Sequence, residues 1–155
     1  MSQIKVDDAR KIILDKIEPQ GTEKISISEA LGRILAEDIV ARHDNPPMDN
    51  SAMDGYALIA ADIESASPEN PVQLDVIEDI AAGYSSQTKI GRGQAARIMT
   101  GAPIPPGADA VIMQEDTERN GTRVLVKDKA EVWENIRDAG EDVKSGESAF
   151  TRGVD

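Results

Sequence analysis

Apolar residues in the first segment fall at Ile4, Ala9, Ile12, Ile13 and Ile17, a spacing that lays one stripe along a helix. The spacing predicts a helix over 4–17, and Pro19, which cannot continue it, is expected to stop it. Lys24 to Ser28 alternates as a short strand, Ser28 and Glu29 open a brief helical turn that closes at Gly32, and Arg33 to Ala41 is most simply a strand. From Met53 the period is mainly that of strands, at Tyr56–Ile59, Val72–Ile80, Gln94–Met99, Ala110–Glu115 and Arg123–Val126. Asn120 and Gly121 can adopt positive φ, which predicts a hairpin between the last two of these strands. The expected fold class is α+β and β-rich. An all-β module over 45–135 interrupts a small mixed α/β lobe built from an N-terminal helical part, 1–44, and a returning segment, 136–155.

Composition narrows the chemistry. At 155 residues the chain can bury a real core, which must be aliphatic because Tyr56, Tyr84, Trp133 and Phe150 are its only aromatic residues. Stacking platforms for nucleobases in single strands are therefore not expected. A formal net charge of -12 repels phosphate backbones and anionic lipid, so neither nucleic acid nor membrane is an expected partner. The same charge opposes an anionic substrate unless a cation or a basic surface elsewhere attracts it. With no cysteine and one histidine, His43, disulfides, thiolate chemistry and the usual zinc sites are excluded, and any metal must be held by oxygen. No apolar run approaches transmembrane length and the first residues lack signal-peptide character, so a cytoplasmic location is expected.

Two Pro- and Gly-rich stretches stand out. In PPMDNSAMDGYAL, Pro46 to Leu58, the prolines restrict φ while Gly55 permits a close approach, and Asp49, Asn50, Ser51 and Asp54 present oxygens from a loop of limited shape. Ordinary turn chemistry accounts for the same residue types. Asp44, Asp49 and Asp54 recur every five residues and converge only if the loop folds back. In RIMTGAPIPPGADAVIMQEDT, Arg97 to Thr117, the Thr100 hydroxyl and the backbone N–H groups near Gly101 form a possible anion-accepting concavity, against the alternative of a rigid turn between strands. In NIRDAGEDVKSGE, Arg137 beside Glu141 and Asp142 suits an anion, and an internal salt bridge explains it equally well. Glu115 and Asp116 read as a solvated strand end, and His43 as a surface residue.

Taken in this order, with the flanking GRILAEDIVA, the three motifs resemble the N-terminal part of the molybdopterin molybdenumtransferase family, which includes bacterial MoeA and the gephyrin E domain. The resemblance implies an all-β insert on a mixed domain, and a partial chain that ends before a molybdopterin-binding α/β domain with which the first helix belongs. It implies that the full-length protein inserts molybdenum from molybdate into adenylylated molybdopterin and releases AMP. The dithiolene supplies the soft ligands, and the protein supplies positioning and charge neutralisation.

By the same resemblance Asp54, Thr100 and Asp142 are the candidate catalytic residues, with Asp54 also the candidate ligand of Mg²⁺. Asn50, Ser51, Gly101 and Arg137 are the candidate substrate-binding residues. Family likeness further implies a homodimer with a cleft shared between subunits, a molybdopterin adenylyltransferase as upstream partner, and little activity for this piece alone. Two other readings remain beside it: a dimerisation or partner-docking scaffold on the same framework, and a stand-alone oxygen-ligand metal protein. The latter is expected to bind Mg²⁺ or Ca²⁺ weakly, since no EF-hand spacing is present.

Overall fold

The computed structural model describes residues 4–18 and 21–154, so Pro19, the expected helix stop, lies outside the described residues. The chain divides into two compact units, Met1–Asp38 with Phe150–Asp155, and Ile39–Ala149. As expected, the fold is α+β and β-rich.

In the first unit the predicted helix forms as α1, Val6–Leu14, with Asp7 and Asp8 in its first turn, where the helix dipole favours negative charge. No residue of α1 is buried, and Ile27 and Leu31 further along are 93% and 98% exposed. The strand expected at Lys24–Ser28 does not form. Glu29 donates its N–H to the Ser26 carbonyl, the Ser26 and Ser28 hydroxyls bond each other at 2.8 Å, and the result is a single 3-10 turn at Ile27–Glu29. Of the strand expected over Arg33 to Ala41, only Ile39–Val40, β1, is paired. Leu35 instead exchanges backbone bonds with Gly153 and Val154, and the Asp38 carboxylate accepts the Arg152 N–H at 2.7 Å, so scattered bonds to the distant C-terminal segment replace a regular ladder.

The second unit is organised by a six-stranded sheet. Two short strands, Asn50–Ser51 (β2) and Gly55–Leu58 (β3), are followed by Val72–Ile80 (β4), Gln94–Ile98 (β5), Ala110–Met113 (β6), Thr117–Asn120 (β7) and Arg123–Val126 (β8). The sheet order is β6-β3-β5-β4-β8-β7, with β4–β5 its one parallel pair. Ile136–Arg137 (β9) pairs with β2, and Ser148–Phe150 (β10) pairs with β1. Every residue of β3 is buried, as expected of a strand flanked on both edges and covered on both faces.

Apolar side chains cover both sheet faces, and the core is aliphatic apart from Tyr56. Tyr56, Leu58, Leu74, Val76, Ile112, Val124 and Val126 form one cluster, while Ala57, Ile80, Ile98 and Val111 form the other. A register shift between Val76 and Glu78 lets one strand serve both. Leu74 and Val76 lie in the first cluster and Ile80 in the second, the reversal that a one-residue slip produces.

The predicted hairpin exists with a different partner. β8 pairs with β7, Asn120 opposite Arg123, around a two-residue loop whose first residue, Gly121, has φ 61°. Asn120 stays in the strand. The expected strand Ala110–Glu115 ends at Met113, pairs with β3, and passes into a 3-10 turn at Gln114–Asp116. The Thr117 hydroxyl donates to the Gln114 carbonyl at 2.8 Å and fixes that break, which frees Thr117–Asn120 to form a strand of its own.

Candidate functional site

Two of the sequence-selected segments meet at the start of β3. Because β3 runs antiparallel to β5 with Gly55 opposite Ile98, the residue before β3 and those following β5 arrive together. Asp54 Oδ1 accepts both the Thr100 backbone N–H and the Thr100 hydroxyl, each at 2.8 Å. These donors hold the Asp54 carboxyl below the usual carboxylate range. The backbone bond contributes most, then the hydroxyl; desolvation opposes them, and the Arg97 charge adds a lesser favourable contribution. The pair is exposed, with both hydrogen bonds on one carboxylate oxygen.

The aspartate is held from behind by backbone geometry. A Cβ at Gly55 would meet the Ile112 carbonyl oxygen at 2.0 Å, so only glycine allows β3 and β6 to approach this closely. Asp54 also accepts the Gln114 N–H through its carbonyl. Arg97 braces the other side. Its guanidinium donates to the Gly55 and Ile98 carbonyls at 2.7 and 3.1 Å and to the Gln114 side chain at 2.5 Å, and lies over the Tyr56 ring.

The suggested anion cup after Thr100 is closed by its own chain. The N–H groups of Thr100, Gly101, Ala102 and Ile104 go to Asp54, Ser51, Met99 and Asp49, so this loop is the rigid inter-strand turn. Ser51 is fully buried, with its hydroxyl donated to the Met53 carbonyl at 2.5 Å. Asn50 is 9% exposed and reaches the Met48 carbonyl with a long 3.4 Å bond. Asn50 and Gly101 share the wall of a cleft of about 200 Å³.

Arg137 and Asp142 form a second polar cluster. Arg137 donates to Asp142 Oδ1 at 2.6 Å and reaches Glu141 at 3.4 Å, while Asp142 Oδ2 accepts the Asn45 amide at 3.0 Å. The Asp142 charge, and then that of Glu141, raise the Arg137 pKa further. The salt bridge weighed from sequence is therefore present. The three evenly spaced aspartates do not converge: Asp44 accepts the Ser145 N–H, Asp49 the Ala139 N–H, and Asp54 the donors of Thr100.

Sequence reasoning missed Trp133 and Asn135, at φ 72° and 56°. Left-handed backbone at these residues costs about 1–3 kcal/mol apiece and persists only where the surroundings hold it. Here the Trp133 N–H goes to Asp109, its indole to Asp138, and the Asn135 amide to the Val111 carbonyl, while Asn135 accepts the Ala52 N–H. The turn thus supports the loop that carries Asp54. Only the asparagine carries a sequence signal for positive φ.

Among the described residues, no group of three or more His, Cys, Asp or Glu is placed to hold a metal ion. Asp54, with one oxygen engaged by Thr100, would suit a largely hydrated divalent cation and does not make an all-protein cage. No helix among the described residues is long and apolar enough to cross a membrane.

Residues 4–155 match the family described as the MoeA N-terminal region (domain I and II). The chain is 43% identical over 155 residues to the molybdopterin molybdenumtransferase of Bacillus subtilis (strain 168), covering 97% of this chain and 36% of that protein. It is 41% identical over 151 residues to the corresponding protein of Staphylococcus epidermidis, with the same two coverages. A crystal structure of the molybdopterin biosynthesis moeA protein from Pyrococcus horikoshii OT3 superimposes with a TM-score of 0.86 at 44% identity, over 94% of this chain and 39% of that one. The chain thus spans little more than a third of the length of these relatives.

Proposed function

The chain belongs to the family of MoeA N-terminal regions, and we propose that the protein carrying it inserts molybdenum from molybdate into adenylylated molybdopterin, with release of AMP. The observation that carries the reading is the Asp54–Thr100 pair. A carboxylate satisfied by two uncharged donors stays ionised and keeps its charge, so it can draw a cation to the place where an oxyanion must be brought against a phosphoanhydride. When bound, Mg²⁺ would neutralise charge between the anionic substrates. Asp54 would hold it through its second oxygen, and Thr100 would fix the direction of the carboxylate.

In this reading Asp142 orients Arg137, whose remaining donors meet an anionic group of the substrate, while Asn50 and Gly101 contact another part of the substrate at the cleft. Ser51 acts from inside, holding the turn before Asp54. The protein works in the cytoplasm as a homodimer and receives its substrate from a molybdopterin adenylyltransferase. The wholly unburied helix α1 supports a packing partner for it in the full-length protein, and the 155 residues alone are expected to be inactive.

The test is molybdate-dependent AMP release from adenylylated molybdopterin by the full-length protein. Release that requires molybdate is the expected result. A folded full-length protein that binds the substrate and releases no AMP with molybdate present overturns the reading.

A further inference from the structure

The cleft beside Thr100 is built differently from the polar clusters around it. Pro47, Met48, Asn50, Gly83, Ser85 and Gly101 supply most of its wall, with Pro103 completing it, and none of these side chains is ionisable. In a chain of net charge -12 that is a local exception, and it disfavours a phosphate or molybdate as the occupant. The volume, about 200 Å³, falls below the ~300–1,000 Å³ that encloses a drug-sized ligand, so the cleft suits one ring system of a larger molecule.

Its surfaces match a flat ring. Gly83 and Gly101 both have positive φ, 82° and 79°, and a Cβ built on either meets nothing within 4 Å, so open space lies over bare backbone. Met48, 44% exposed, and two prolines add apolar, polarisable surface, while the Asn50 amide is a donor and acceptor pair able to read a ring edge.

The far wall is held in place. Ser86, 6% exposed, donates its hydroxyl to Glu78 Oε2 at 2.5 Å and accepts the Thr88 N–H at 3.0 Å. The Glu78 carboxyl is held below its usual range, first by the Ser86 hydroxyl, against desolvation, and then by bonds from Thr88 and Tyr84. The Ser86 hydroxyl thus ties the loop to a carboxylate on β4, one residue from Ser85 on the cleft wall. A preorganised wall lowers the ordering cost of binding.

We infer that this cleft is a subsite for an uncharged fused-ring heterocycle, seating the ring end of the substrate while the charged end lies toward Asp54 and Thr100. The inference rests on the proposed reaction. The proposed substrate offers two such rings, a pterin and an adenine.

The experiment uses the full-length protein labelled with ¹³C at the methionine methyls, titrated separately with adenosine and with pterin, the Met48 signal being identified by its loss in Met48→Leu. Expected is a saturable shift of Met48 with a Kd of about 1 mM, the range for a ring of about ten atoms. A response to adenosine assigns the adenine and a response to pterin assigns the pterin. The response should disappear in Ser85→Trp, whose indole occupies the cleft, and the same variant should raise KM about tenfold with kcat held within about twofold. No Met48 shift with either ring at about 10 mM, or a shift that persists in folded Ser85→Trp, overturns the subsite. A ring response in a protein that releases no AMP would retain the subsite and reject the reaction, so the two failures are distinguishable.

Discussion

Asp54 and Asp142 are both exposed carboxylates beside family motifs, and their partners set them apart. Asp54 is satisfied by a backbone N–H and a hydroxyl, neither charged, and Asp142 by the Arg137 guanidinium and the Asn45 amide. Neutral donors stabilise a carboxylate and leave its charge uncancelled, whereas a guanidinium at 2.6 Å cancels most of it. An aspartate of the first kind can attract a cation or shape the field at a reacting centre. One of the second kind serves mainly to aim its arginine. Two residues that look alike in sequence are thereby expected to differ in role.

The strongest way to break the comparison is to remove the backbone that presents Asp54. Gly55→Ala drives a methyl into the Ile112 carbonyl at 2.0 Å, where backbone meets backbone and cannot rotate away. The expected cost is about 3 kcal/mol or more, read by urea denaturation. Gly140→Ala, next to Asp142, meets the flexible Lys144 Cγ at 2.9 Å at φ 70°, and should cost about 1–3 kcal/mol. Equal losses would mean that the Asp54 side is no more tightly built than the Asp142 side.

The next test separates charge from shape. In the full-length protein Asp54→Asn keeps an acceptor for both Thr100 donors and removes the charge, so AMP release should fall about 100-fold or more with the fold intact. Asp142→Asn keeps an acceptor for Arg137, and release should fall less than about tenfold. Matching losses would show that the distinction between neutral and cationic partners carries no functional weight.

Thr100→Val sharpens the Asp54 side further, because it deletes the hydroxyl and leaves the backbone donor. The Asp54 pKa should rise toward the ordinary carboxylate value, measured by NMR titration of its carboxyl carbon. The sign for stability follows from that depression. A folded-state pKa below the unfolded value gives stability that is present above the unfolded pKa and is lost as pH falls through the folded one. Wild type should therefore lose its advantage over Thr100→Val on acidification. An unchanged Asp54 titration would remove the hydroxyl from the account.

Sequence and structure agree where a local pattern has no rival, and part where another bond, near or distant, competes. Val72–Ile80 and Arg123–Val126 were legible residue for residue, because alternation on a two-faced sheet leaves little choice of period. The segment Lys24–Ser28 alternated as well and formed no strand, since serine side chains bonded nearby instead. Motif chemistry brought out Asp54 and Thr100, but no spacing rule could show that one accepts from the other across 46 positions, which depends on the register of β3 against β5. The support given by Asn135 was hidden for the same reason: its amide bonds to Val111, 24 residues away.

The smallest expected effect concerns the Arg137–Asp142 bridge. The side chains are 37% and 49% exposed, so water screens the attraction and the pair should contribute less than about 1 kcal/mol to stability. A double-mutant cycle of Arg137→Ala and Asp142→Ala, followed by chemical denaturation, isolates that energy from the separate bonds that Asn45 makes to Asp142. In 1 M salt, where the screening length is about 3 Å, the coupling should shrink toward zero, while the effect of Thr100→Val on stability, which involves an uncharged donor, should persist at neutral pH. A coupling of about 2 kcal/mol that survives 1 M salt would mean that water does not reach the bridge. Asp142 would then be as firmly fixed as Asp54, and the contrast between a carboxylate with its charge to spare and one that has used it would be sharpened.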